Sequence, residues 1–121
     1  MKKLLLLAAL VTSGCTGGDE GKATTWEELS LAGKALERID ENRIENFYFG
    51  SQGTVSAEVG VKGGPVAGPS WFWRIEQDRL IISEAPGGSP ELQMYRPKLA
   101  SNVLTVQRNL LQSARYRVNK Q

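Results

Sequence analysis

From Ile44 onward the chain repeats one pattern: short runs of alternating apolar and polar residues, separated by turns. No helical stretch long enough to act as a crossover interrupts them. Parallel strands need crossover connections of a dozen or more residues, so this region predicts an antiparallel, mostly sequential sheet. Residues 54–61 (TVSAEVGV) are the clearest case, with Val55, Ala57, Val59 and Val61 on one face and Thr54, Ser56, Glu58 and Gly60 on the other. The runs 44–49, 70–76, 80–83, 92–96, 103–108 and 114–119 behave likewise, giving about seven short strands. Gly50-Ser51-Gln52-Gly53, the Gly/Pro loop 62–69, Gln77-Asp78-Arg79 and residues 85–90 are the turns, and Pro97 is expected to close its strand. A meander of this kind hides its edges by curling into a closed or half-open barrel.

Before the strands, Thr25-Trp26-Glu27-Glu28 matches a capping box, with Thr25 as N-cap and Glu28 three residues later. Trp26, Leu29, Ala32, Leu36 and Ile39 follow at helical spacing. A short helix over 25–32 is expected; residues 34–40 read as either helix or strand, because Gly33 interrupts the pattern. Glu37-Arg38 and Asp40-Glu41 are expected to face water. The fold expected is mainly β, with a short N-terminal helix and one domain over 25–121.

Composition narrows the chemistry. The 121 residues include no His and one Cys. Imidazole bases, His-based triads and His metal sites are excluded, as are internal disulfides, thiolate zinc sites and CxxC pairs. No Walker loop, G-x-S-x-G or S-x-x-K motif occurs, and Glu76, Asp78, Glu84 and Glu91 show no glycosidase-like pairing. No catalytic residue, cofactor or metal ligand is assigned. A net charge of +2 is too small to point to nucleic acid. The charge is nevertheless polarised: residues 16–58 hold nine acids and four bases, whereas 92–121 hold six bases and no acid. Either the late strands pair with the acidic early part, or they present a basic face to an anionic partner. Arg115 and Arg117, on one face of the last strand, are the candidate anion contacts.

The first residues read as an address. Met1-Lys2-Lys3 is a positive n-region and residues 4–11 (LLLLAALV) an apolar h-region, too short to span a bilayer. With Thr12-Ser13-Gly14-Cys15 behind it, this resembles the lipobox signal of bacterial lipoproteins. The resemblance implies removal of residues 1–14 and acylation of Cys15, with stable anchoring by two or more chains at ~0.8 kcal/mol per buried methylene. Thr16 after the Cys, rather than Asp, resembles the outer-membrane sorting pattern of a two-membrane bacterium. Residues 15–24, small, polar and Gly-rich, are expected to form the lipidated Cys and a flexible tether.

Four segments carry a further resemblance: Leu-Ala-Gly-Lys (31–34), Phe-Tyr-Phe-Gly-Ser-Gln-Gly-Thr-Val (47–55), Trp-Phe-Trp-Arg-Ile-Glu-Gln-Asp-Arg-Leu-Ile-Ile (71–82) and Leu-Ala-Ser-Asn-Val-Leu-Thr-Val (99–106). Their order resembles the short lipocalin-like domains of bacterial lipoproteins, over residues 29–118, although Ala35 stands where that pattern has Trp. The resemblance implies a non-enzymatic envelope protein whose barrel binds a small apolar ligand or an envelope partner. Trp71, Trp73, Phe47 and Phe49 are the candidate ligand-lining residues; the alternative for them is a filled core. Two other readings stand beside it: a periplasmic inhibitor, since Ser113-Ala114-Arg115-Tyr116 faintly resembles the C-terminal strand of c-type lysozyme inhibitors, and a structural part of an envelope assembly.

Overall fold

The computed structural model describes residues 21–109 and 111–121; the signal segment, Cys15 and residues 16–20 of the expected tether lie outside the described residues. The elements are β1 (Lys22–Ala23), α1 (Trp26–Leu29), β2 (Lys34–Arg38), β3 (Arg43–Phe49), β4 (Thr54–Val61), β5 (Val66–Ala67), β6 (Ser70–Glu76), β7 (Arg79–Ser83), β8 (Pro90–Ala100), β9 (Val103–Asn109) and β10 (Gln112–Lys120). Eight of them, β2, β3, β4, β6, β7, β8, β9 and β10, form a closed antiparallel barrel in chain order. Closure comes from β10 returning to β2, with Tyr116 opposite Arg38 and Lys120 opposite Lys34.

The strand that closes the barrel is the segment whose periodicity fits helix and strand alike. Thr25 caps α1 as the capping box requires, accepting the Glu28 N–H at 3.0 Å, but the helix stops after one turn. Ser30 adopts a left-handed conformation (φ 50°) and Gly33 another (φ 83°), which turns the chain into β2. The expected helix over 25–32 is therefore shortened to 26–29, and Ala32 is exposed rather than part of an apolar stripe. Residues 34–38 join the sheet because β10 would otherwise be an open edge.

The expected break at Pro97 does not occur, since β8 runs through it. The register between β8 and β9 shifts there, with Tyr95 opposite Gln107 and Lys98 opposite Thr105, and Arg96 at φ 51°. A bulge is one of the few places where a strand tolerates Pro. Past Tyr95, β8 has lost β7, and β1 covers the exposed edge: Lys22 lies opposite Leu99 and Ala23 opposite Lys98. Residues 22–23 are thus sheet rather than tether. The approach requires glycine before them, because a Cβ on Gly21 would fall 2.4 Å from the Leu99 carbonyl carbon. The short β5 patches the other gap, pairing with β4 where β6 has ended.

Alternation decides the core. Leu36, Phe47, Phe49, Val55, Ala57, Leu80, Ile82, Met94, Leu104, Val106, Ala114 and Tyr116 point inward and are buried, together with Trp26, Leu29 and Leu31 from the α1 segment. The β6–β7 hairpin turns through Gln77 (φ 51°) and Asp78 (φ 63°), two consecutive left-handed positions that favour Asn followed by Gly. The double substitution Gln77→Asn with Asp78→Gly is expected to stabilise the barrel by about 1 kcal/mol, read as a higher Tm. An unchanged or lower Tm would contradict the turn assignment.

Candidate functional site

The two ends of the barrel differ. At one end α1 forms a plug: Trp26 is 1% exposed and its indole Nε1 donates to the Asp78 carbonyl at 3.2 Å. Gly33 N–H donates to the Phe49 carbonyl at 2.9 Å, and Gln121 Nε2 reaches the Phe49 and Lys34 carbonyls, each at 2.9 Å.

Above the plug the interior is a column of rings. Trp73 meets Phe49 edge-on with centroids 5.4 Å apart, Phe49 lies 6.3 Å from Phe47, and Phe47 lies 6.1 Å from Tyr116. The Trp73 indole donates to the Gly50 carbonyl at 3.1 Å. Phe47 and Phe49 have no exposed surface, and Trp71 and Trp73 pack against the same cluster half-buried. Of the four residues expected to line a cup, Phe47 and Phe49 therefore fill the interior, as side chains do in a small eight-stranded barrel, while Trp71 and Trp73 pack against them half-buried.

The column ends in charge. Four inward positions on β2, β3, β9 and β10 carry Arg38, Glu45, Arg108 and Tyr116. Glu45 Oε1 accepts from Arg38 Nη1 at 2.7 Å, Arg108 Nη1 at 2.7 Å and the Tyr116 hydroxyl at 2.6 Å. Arg108 Nη1 also donates to Tyr116 Oη at 3.0 Å, and the Arg38 guanidinium sits 5.7 Å from the Tyr116 ring centroid. The side chains are nearly sealed: 13% of Arg38, 9% of Glu45 and 18% of Arg108 is exposed. Arg38, expected to face water, is instead inside the barrel, because it follows the inward Leu36 by two residues.

Burial pushes the Glu45 carboxyl up, but the Tyr116 hydroxyl, Arg108 and Arg38 together overcome it and hold it below the usual carboxylate range. Burial, and then the Glu45 charge, drive the Tyr116 hydroxyl well above its ordinary value. A carboxylate locked ionised and a phenol locked protonated make poor proton-transfer groups near neutral pH; the arrangement is suited to holding charge.

Over this floor opens a cavity of about 610 Å³ lined by Arg38, Asp40, Asn42, Arg43, Val61, Arg108, Leu111, Gln112 and Ser113. Asp40 caps its own turn, accepting the Asn42 and Arg43 N–H groups at 2.8 and 2.9 Å, and these bonds hold its carboxyl below the usual range. Leu111 is 94% exposed and Val61 53% exposed on the rim.

Arg115 and Arg117 project from the outer wall of β10. Arg117 reaches Glu37 at 3.3 Å, with both side chains about half exposed, a contact of about 0–1 kcal/mol. Barrel closure brings the last strand beside β2, where Arg117 meets Glu37, and Arg108 of β9 meets Glu45 of β3, so two of the six late bases pair with early acids. The Arg38–Glu45–Arg108–Tyr116 cluster is the grouping that composition and motifs do not single out.

Together these features define a class: a closed eight-stranded antiparallel β-barrel with a packed interior, one plugged end and one charged, open end. Comparison of the chain with protein-family models, curated proteins and solved structures found no match.

Proposed function

We propose that this chain is a lipid-anchored, non-enzymatic protein of the cell envelope, a lipocalin-like barrel that engages a small ligand or envelope partner through its charged mouth. The observation that carries this reading is the inward-facing Arg38–Glu45–Arg108–Tyr116 cluster beneath an open 610 Å³ cavity. Volumes of this size are typical of small-molecule sites. The filled aromatic column argues against an apolar ligand swallowed by the barrel and for contact at its end.

The entry of the chain supports an orientation. Gly21 and Lys22 lie along β8 at Leu99, beside the β8–β9 turn and the plugged end. With Cys15 acylated, the five residues 16–20 span roughly 18 Å at most, so the plugged end stays near the membrane and the mouth faces away from it. In a two-membrane bacterium this is the periplasmic face of the outer membrane. The inhibitor reading gains no support, because Tyr116 of the Ser113-Ala114-Arg115-Tyr116 echo is fully buried.

Cys15→Ser is expected to move the protein from the membrane to the soluble fraction; unchanged partitioning would refute the anchor. A photo-crosslinking residue at Leu111 is expected to give discrete adducts in intact cells, while one at Gln52, in the β3–β4 turn at the plugged end, gives none. Adducts from Gln52 alone would reverse the orientation.

A further inference from the structure

Building on the mouth as the working surface, we infer that it is a site for a small organic monocarboxylate, bound by Arg108 and Arg43 with its apolar body against Val61 and Leu111. Three observations carry this.

The first is charge. The sealed floor holds two guanidiniums and one carboxylate, an excess of one positive charge where burial makes an unbalanced charge costly. The groups facing it from the surrounding elements are Arg43 and Asp40. Asp40 lies 3.8 Å from Arg38 Nη2 and offsets one floor guanidinium, so with Arg43 counted the five charged groups keep one positive charge in excess at the mouth. A monoanion neutralises it; a dianion would replace one unbalanced charge with another.

The second is an unused donor. Arg108 Nη1 is committed to Glu45 and Tyr116, while Arg108 Nε is buried without an acceptor. Among the described residues Nη2 has no acceptor either. The Nε–Nη2 edge is the face on which a guanidinium takes both oxygens of a carboxylate in parallel; Nε is closed to water, so binding includes a shift of the Arg108 side chain toward the cavity.

The third is the rim. Val61 and Leu111 expose apolar surface beside Asn42, Arg43 and Gln112. Because Phe47 and Tyr116 fill the barrel beneath, the ligand's body rests on this rim rather than in the interior.

The test uses the full-length protein purified in detergent, with benzoate as the probe. The readouts are calorimetry and the arginine Nε–Hε resonances. Benzoate is expected to bind saturably at millimolar or lower concentration and to shift the Arg108 Nε–Hε signal. Benzamide, the neutral counterpart, is expected not to bind, and inorganic phosphate to bind at least tenfold more weakly than benzoate. Arg108→Met should weaken benzoate at least tenfold. Arg43→Gln, at an exposed position that does not threaten folding, should weaken it several-fold. The inference is overturned by equal binding of benzamide, by tighter binding of phosphate, by wild-type affinity in Arg43→Gln, or by no saturable binding. Loss of benzoate binding with Leu111 adducts intact overturns the carboxylate alone. Benzoate binding without those adducts overturns the envelope-partner reading instead.

Discussion

Glu45→Gln is expected to destabilise the barrel by about 3–5 kcal/mol, the range for removing one partner from a buried ion pair. The substitution leaves Arg38 and Arg108 inside the barrel with only Asp40, 3.8 Å from Arg38 at the rim, to balance them, and Tyr116 Oη with a weaker acceptor. Its sign is checked by pH. The folded carboxyl lies below its unfolded value, so its contribution is fully present above the unfolded value of about 4.3 and is lost as pH falls through the folded one. Urea denaturation of the wild type and the variant should therefore show a constant difference from about pH 5 to 7 that shrinks below about pH 4. A difference under about 0.5 kcal/mol at neutral pH, or one that widens on acidification, would show that Glu45 does not organise the cluster. Replacing all three charged members by apolar residues of similar volume is expected to restore much of the loss, because desolvation of the triad is then removed as well.

The second large effect is at the opposite end. Trp26→Ala is expected to cost about 3–5 kcal/mol. The indole is the largest fully buried side chain, and its loss opens a cavity while orphaning the Asp78 carbonyl it bonds. Trp26→Phe keeps most of the volume and loses the hydrogen bond, so a smaller cost of about 1–2 kcal/mol is expected. Amide hydrogen exchange distinguishes a plug from an integral part of the core. In Trp26→Ala, protection should fall over residues 24–36 and at the Phe49 end of β3, with β7 and β9 retained. Uniform loss of protection across the barrel would mean that α1 belongs to the cooperative folding unit instead.

These two sites are not equally legible. Trp26 announces itself through the capping box and the apolar Leu29 behind it, although its spacing implies a longer helix than forms. The helical spacing of Trp26, Leu29, Ala32 and Leu36 coincides with two different structures, one helical turn and then a strand, and periodicity alone does not separate them. What decides is the free edge of β10, which no local pattern reports.

The mouth cluster carries a signal of another kind. Arg38 follows Leu36 by two residues, Glu45 precedes Phe47 by two, and Arg108 follows Val106 by two. Each charge sits in the inward phase of its strand, where burial would be costly without partners. That phase is readable. Which of the charges meet is not, since Glu45 and Arg108 are 63 residues apart. Alternation also places the candidate lining residues Phe47, Phe49 and Trp73 on the correct face, but whether a face lines a cup or fills it depends on barrel diameter, and hence on strand number.

Local pattern is enough to define most of the strands, their turns and the side of each strand that faces inward, because alternation and turn chemistry are set by local sterics and burial. It does not reveal that an eighth strand closes the barrel, that the aromatic rings fill it, or that two arginines share one glutamate at its open end. Those outcomes belong to strand register and closure, which are set by long-range pairing between chain segments that carry no mark of one another.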